Sequence, residues 1–460
     1  MADQLLNLLD TLTEAEKNHW LEFLQSPYFN KRVELMRLGL AFARGIEGKE
    51  KLYEYVYSHQ PYADNRWRLL KSDFLQLLEH FLSIYEPSRL DEGRRQLSLQ
   101  SQLRKRQQDQ RYAAAQRRIK RWRSDWPDGC QRAQLEYEIG WEDIQYKMSQ
   151  RSMRVADFNR LNQQLERNYL LEALRLACHG LATQSLEPAS LQLGVLPQLL
   201  ASSNLSRQLN DDLVLALYHA CYMMLSAQQD SSAFARFQFV LPQVETLSKT
   251  EARDLILLGI NYCIRQVNAG DQQAGNAALD LYQFGFDQGY LLEAGYLSRF
   301  TFNNVVALAL KAGAIKRAAI FIETYAERLS PTYRQSTTAL NQARLAYEKG
   351  ELDLAMEQLQ SAKDQDVLTT LNIRVLQLRV SQQLAHQRLF DAQLDALDIY
   401  LRRRKDTLGY HYKAYRKLTK YLHKYRRLNP YDSKATATFK QEVKSAEGLP
   451  EKNWLLKLLA

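Results

Sequence analysis

The sequence predicts an all-α chain: an N-terminal helical unit, a long charged helix, and then a superhelix built from paired helices. Three observations predict it. Glycine and proline are scarce, 18 and 10 among 460 residues, which favours helices over a turn-dense β architecture. Apolar residues recur at three- and four-residue spacing through most of the chain, as one buried face of a helix requires. A glycine-to-alanine pattern at Gly313 returns 37 residues later at Gly350, the mark of a repeated structural unit.

The elements follow in order. Thr13 and Glu16 fit a capping box ahead of Trp20, Phe23 and Leu24, and the helix stops near Ser26-Pro27 because proline disfavours helical geometry in the residue before it. Helices are expected over 32–44, 49–59 and 65–85, with Pro87 closing a unit that spans 1–88. Asp91 to Trp126 reads as one long basic helix or linker, domain 89–128, with no apolar residue between Arg104 and Gln110 and a stripe at Ala115, Ile119, Trp122 and Trp126. Such a helix bridges through solvent at its start and docks at its end. Pro127-Asp128-Gly129 breaks the chain. A connecting region, 129–209, holds helices over 131–152 and 156–179, with a looser stretch flagged by Pro188 and Pro197.

Helix pairs occupy 210–405, and basic helices 406–460. Gly313-x4-Ala318-x3-Ile322 and Gly350-x4-Ala355-x3-Leu359 share one spacing, which reaches Ala392 and Ala396 after another 37 residues. Weaker copies stand at Gly270, Gly275 and Leu279, and at Asp230, Ala235 and Phe239. The glycine ends the first helix of a pair in a left-handed cap, and the small residue lets the second helix come close. Gly313, Ala318, Gly350, Ala355 and Ala392 are the expected packing positions.

This pattern resembles the tetratricopeptide repeat, in which a turn glycine, a small residue five later and a large apolar residue four beyond recur. The first helices lack that family's usual Trp, Leu-Gly and Tyr positions, so the resemblance implies an α-solenoid over roughly 210–405 and no particular peptide-binding residue. The opening Trp20-x2-Phe23-Leu24-x-Ser26-Pro27-Tyr28-Phe29-Asn30 is similar to that of bacterial helical proteins and implies no function.

Charge is local. The formal net charge is +10. Asp91 to Asp125 holds eleven Lys and Arg against four acids, and Arg402 to Arg427 eleven against one, so the rest of the chain is mildly acidic. No stretch has the roughly 20 apolar residues of a membrane span, and the opening residues show no basic stretch before an apolar core, so neither membrane insertion nor secretion is expected. Cys130, Cys178, Cys221 and Cys263 stand far apart with no C-x-x-C spacing, consistent with buried thiols in a reducing cytoplasm.

No phosphate loop, dinucleotide loop, nucleophile elbow or histidine metal pair occurs in the sequence. A non-enzymatic function with no cofactor, metal or small-molecule substrate is therefore expected. The candidate site is the C-terminal basic zone. If Leu408 to Leu428 is one helix, Leu408, Tyr412, Tyr415, Leu418, Leu422 and Tyr425 form its apolar face, and Lys413, Arg416, Lys417, Lys420, Lys424 and Arg427 nearly the opposite one. Arg402, Arg403, Arg404 and Lys405 precede it, and Tyr410 and Tyr421 border the stripe. An ordinary solvated face mixes Lys with Glu, whereas no acid lies between Thr407 and Tyr431. Cations in a row neutralise phosphates, and flanking tyrosines stack on bases. Two functions are open: a protein-interaction scaffold on the helix pairs, and an RNA-associated protein using the basic helix.

Overall fold

A computed structural model describes residues 4–58, 60–85, 89–184, 189–202, 205–227, 231–269, 271, 273–293, 295–362, 366–429 and 431–459. Pro87, Pro188, Asp230 and Gly270, and the side chain of Tyr410, lie outside the described set. The chain is all-α, 81% helical and 1% strand. Among the described residues the strand content is a hairpin of two-residue strands, Leu292–Glu293 with Tyr296–Leu297.

Contacts divide the chain into two compact units, Met1–Trp126 with Gln134–Leu161, and Pro127–Ala133 with Asn162–Ala460. In the first unit α1 (Gln4–Leu9), α2 (Glu14–Gln25), α3 (Val33–Ala43), α4 (Lys49–Tyr57) and α5 (Asp64–Ile84) follow the apolar periodicity of the sequence. The capping box forms as expected: the Thr13 hydroxyl accepts from the Glu16 N–H at 3.3 Å, and the Glu16 carboxylate accepts from the Thr13 N–H at 2.7 Å. Trp20 and Leu24 of α2 bury against Leu38 of α3, Val56 of α4 and Phe74 of α5 in one core.

The expected single helix over 91–126 is instead two, α6 (Arg89–Lys105) and α7 (Asp109–Trp122), which pack on one another. The break falls in the apolar-free stretch, where Gln107 takes φ 54°. A helix continued through those residues would have nothing to bury, whereas folding back there lets Tyr112, Ala115 and Ile119 enter a core. Some cations of this zone are answered within the unit. Arg104 forks onto Glu142 of α8 (Cys130–Ser149) at 2.7 and 3.1 Å, and Arg123 meets Glu136 at 2.7 Å.

The second unit carries the end of α9 (Val155–Gln184), α10 (Leu196–Leu200) and α11 (Leu205–Asp211), and then helices packed in neighbouring pairs. These are α12 (Leu213–Ser226) with α13 (Ser231–Val240), α14 (Lys249–Ala269) with α15 (Gln273–Asp287), α16 (Arg299–Lys311) with α17 (Ile315–Tyr325), α18 (Pro331–Lys349) with α19 (Leu352–Ser361), and α20 (Val367–Gln383) with α21 (Gln387–Arg403). Short α22 (Lys405–Leu408), then α23 (Tyr410–Arg426), α24 (Ser433–Ser445) and α25 (Lys452–Leu458), complete the chain.

Gly313 and Gly350 adopt φ 72° and 82° at the turns of their pairs, a conformation in which a Cβ is strained. Ala318 and Ala355, five residues on, are both 0% exposed. The expectation for Ala392 is corrected: it is exposed. The left-handed residue of the third pair is Ala385 at φ 55°, 35 rather than 37 residues after Gly350. Counting five and nine from that turn places Phe390 and Leu394 in the core, where both are buried. The turn, not the fixed period, sets which residue faces the partner helix.

Glu251 on the first turn of α14 anchors the loop Pro127–Gly129. Its carboxylate accepts from the N–H groups of Cys130 and Gln131 at 3.3 and 3.4 Å and from the Tyr218 hydroxyl at 3.3 Å, supplying an anion where the N-terminus of α8 presents unpaired donors. Gly129 at φ 120° lies so close that a Cβ there would sit 1.9 Å from Glu251 Oε2. Burial raises the Glu251 pKa from its ordinary value, outweighing those hydrogen bonds.

Candidate polyanion-binding surface

The expected basic helix begins after Gly409, whose φ of 53° separates α22 from α23, so Leu408 belongs to the preceding turn. Leu418 and Leu422 bury completely, and Tyr412, Tyr415 and Tyr425 pack on the same core. The apolar face is therefore where the spacing puts it, because α23 must cover α21 and α24.

The opposite face is less free than the sequence implies. Arg416 turns toward α21 and donates to Asp398 Oδ1 at 2.6 Å. Asp398 also faces His423 Nε2 at 3.4 Å and Arg402 Nη2 at 3.5 Å. Burial opposes ionisation of Asp398, but hydrogen bonds from Thr419 and Arg416 and the neighbouring positive charge win, and its pKa lies below the usual carboxylate value. Arg426 reaches Asp395 at 3.3 Å and Asp391 at 3.7 Å. Lys424 pairs with Glu442 of α24 and lies 4.8 Å above the Phe439 ring. Lys417 donates to the Glu447 carbonyl at 2.9 Å.

Arg403, Arg404, Lys405, Lys413, Lys420 and Arg427 have no ion-pair partner among the described residues. Lys413, Lys420 and Arg427 stand seven residues apart, on one line of the helix at about 10 Å intervals. Tyr421 is not available for stacking on a base. Its ring already stacks on Phe439, with centroids 5.7 Å apart and planes at 10°, and burial together with Glu442 raises its pKa.

A cleft of about 590 Å³ opens on this face, lined by Arg416, Lys420, His423, Lys424, Arg426 and Arg427, with Asp398 at its wall. The structure thus brings Arg416, Lys420, Lys424 and Arg427 together and adds His423 and Arg426. The periodicity missed those two because Asp398, which orients this side of the helix, lies on α21, 18 residues before Arg416.

No family model matches the chain, no curated protein is similar to it at a significant level, and no solved structure is either. Among the described residues no helix is long and apolar enough to cross a membrane.

Proposed function

We propose that this chain is a non-enzymatic interaction scaffold, related in its helix pairs to the tetratricopeptide type, that holds a protein partner in the cytoplasm. The bacterial relationship suggested by its N-terminal segment belongs with this proposal. The observation that carries it is the run of consecutive helix pairs from Leu213 to Arg403, each packed on the next. Stacked pairs leave the first helices side by side, and a face built that way is long, rigid and varied in side chain, which suits a polypeptide.

The C-terminal cleft supports the same reading better than it supports RNA. Arg416, Lys424 and Arg426 already face carboxylates, so a nucleic acid would compete with Asp398, Glu442 and Asp395 for them. With only Lys413, Lys420 and Arg427 free along α23, the expected slope of log affinity against log salt is about −2 for a single strand, against about −4 for six phosphate contacts. Nucleic-acid binding stands as the second reading, resting on that line of three cations and on Arg403 to Lys405 before it.

Affinity capture from the native host with cross-linking mass spectrometry tests the scaffold. A protein whose cross-links gather on α12 to α21 supports it. Recovery of nucleic acid with no protein cross-linked to those helices reverses the ranking, and a salt slope near −4 for an oligonucleotide would confirm the reversal.

A further inference from the structure

Arg344 on α18 and Arg379 on α20 hold the same position in successive pairs, each six residues before the left-handed turn residue, Gly350 or Ala385. Ala307 on α16 stands six before Gly313. All three line one cleft of about 480 Å³ whose charged walls are Lys311, Arg344, Arg379 and Lys457 against Glu348 and Glu451. Repetition of the turn has brought two arginines to one cleft.

The two arginines are unequally served. Arg379 Nη1 bonds the Glu451 carboxylate at 3.2 Å, Nη2 lies 3.6 Å from Glu348, and the guanidinium rests 4.5 Å from the Tyr347 ring centroid. Its Nε–H is nevertheless buried without an acceptor. Arg344 has no carboxylate within ion-pair distance among the described residues. Its Nη1 donates only to the amide oxygen of Asn341 at 3.1 Å, and Asn341, fully buried, is held in place by donating to Asn303 at 2.6 Å and to the Thr337 carbonyl at 2.8 Å. Desolvation lowers the Arg344 pKa, and the charge of Glu451 only partly offsets this.

A guanidinium cannot shed its proton in the physiological range. Arg344 is half-buried and lines the cleft, so its fixed charge is open to an anion that enters. The chain supplies half an answer. Glu451, in a left-handed conformation at φ 53° that non-glycine residues adopt at a cost, brings one carboxylate into the cleft from the start of α25 and commits it to Arg379.

We propose that this cleft seats the acidic side chains of a partner polypeptide, one carboxylate closing on Arg344 and another taking the place of Glu451 on Arg379. Planar guanidinium forks at a fixed spacing match carboxylates bidentately, and Lys311 and Lys457 add positive charge at the walls. The inference rests on the scaffold reading and names the chemistry of what the scaffold holds.

Titration of a fluorescently labelled hexaglutamate peptide into the full chain tests it. Saturable binding is expected, weakened roughly tenfold or more by Arg344→Met and tightened by Glu451→Gln, which frees Arg379. Arg344→Met also leaves the buried Asn341 Oδ1 without its donor, so a modest fall in melting temperature is expected and affinity is compared where both proteins are folded. Unchanged affinity in that variant overturns the proposal. Should Arg344→Met not fold, Arg344→Lys keeps the charge and loses the fork, and a several-fold weakening is expected where equal binding would contradict. Displacement of the peptide by inorganic phosphate as readily as by unlabelled hexaglutamate overturns the assignment to acidic polypeptide. Affinity capture with Arg344→Met separates this claim from the one beneath it: partners lost relative to wild type support the cleft, and partners fully retained sink the cleft while leaving the scaffold intact.

Discussion

Glu251 and Arg344 both carry charge into the helical body, and their surroundings differ in kind. Glu251 receives two helix N–H groups and a tyrosine hydroxyl; Arg344 receives one neutral amide oxygen. An enclosed charge whose bonds are met is part of the architecture, since removing it strands its partners. A half-buried charge that lines a cleft and has no carboxylate of its own is open to a ligand.

The comparison breaks most visibly at Glu251. Glu251→Ala would leave the Cys130 and Gln131 N–H groups and the Tyr218 hydroxyl without acceptors, a loss of about 3 kcal/mol, read by chemical denaturation. A loss no larger than that of Arg344→Met would erase the contrast. The helix-pair register that aligns Arg344 with Arg379 is exposed next. Ala355, 0% exposed against its partner helix, should cost about 2 kcal/mol as Ala355→Leu through overpacking; an unchanged melting temperature would remove the register argument. Gly350→Ala should cost about 1 kcal/mol through its φ of 82° alone, since open space surrounds the added Cβ. A larger loss would mean that the turn packs against something.

The smallest effect concerns pH. The folded-state pKa of Glu251 is raised above its ordinary 4.5, so between the two values the native state binds more protons than the unfolded one. Its contribution is full below pH 4.5 and is lost as pH rises through the folded value. Glu251→Gln keeps an acceptor and cannot ionise, so its stability relative to wild type should grow over that window. Denaturation midpoints measured at several pH values check this, and parallel profiles for the two proteins would contradict it.

Much of the fold was legible because helices announce themselves locally. The capping box at Thr13, the stop at Pro27 and the glycine turns at 313 and 350 act within a few residues, and each formed. What failed depended on distance. The helix over 91–126 broke because packing, invisible at that range, rewarded a turn at Gln107. Ala392 was misplaced because a non-glycine residue, Ala385, took the left-handed turn two positions early. In the candidate site the stripe of α23 was readable from charge alone, but its neutralisation by Asp398, Asp395 and Glu442 came from other helices. Arg344 and Arg379 carried a signal after all. They are 35 residues apart, the separation of Gly350 from Ala385, and counting back from the turns instead of forward by a fixed period would have paired them.

The most direct measurement is the melting temperature of wild type and Arg344→Met, each with and without saturating hexaglutamate. A ligand that binds only the folded chain raises its stability by mass action. The account predicts an upward shift for wild type and little or none for Arg344→Met. Equal shifts in the two proteins would show that the peptide binds elsewhere and that the unanswered arginine is not its seat.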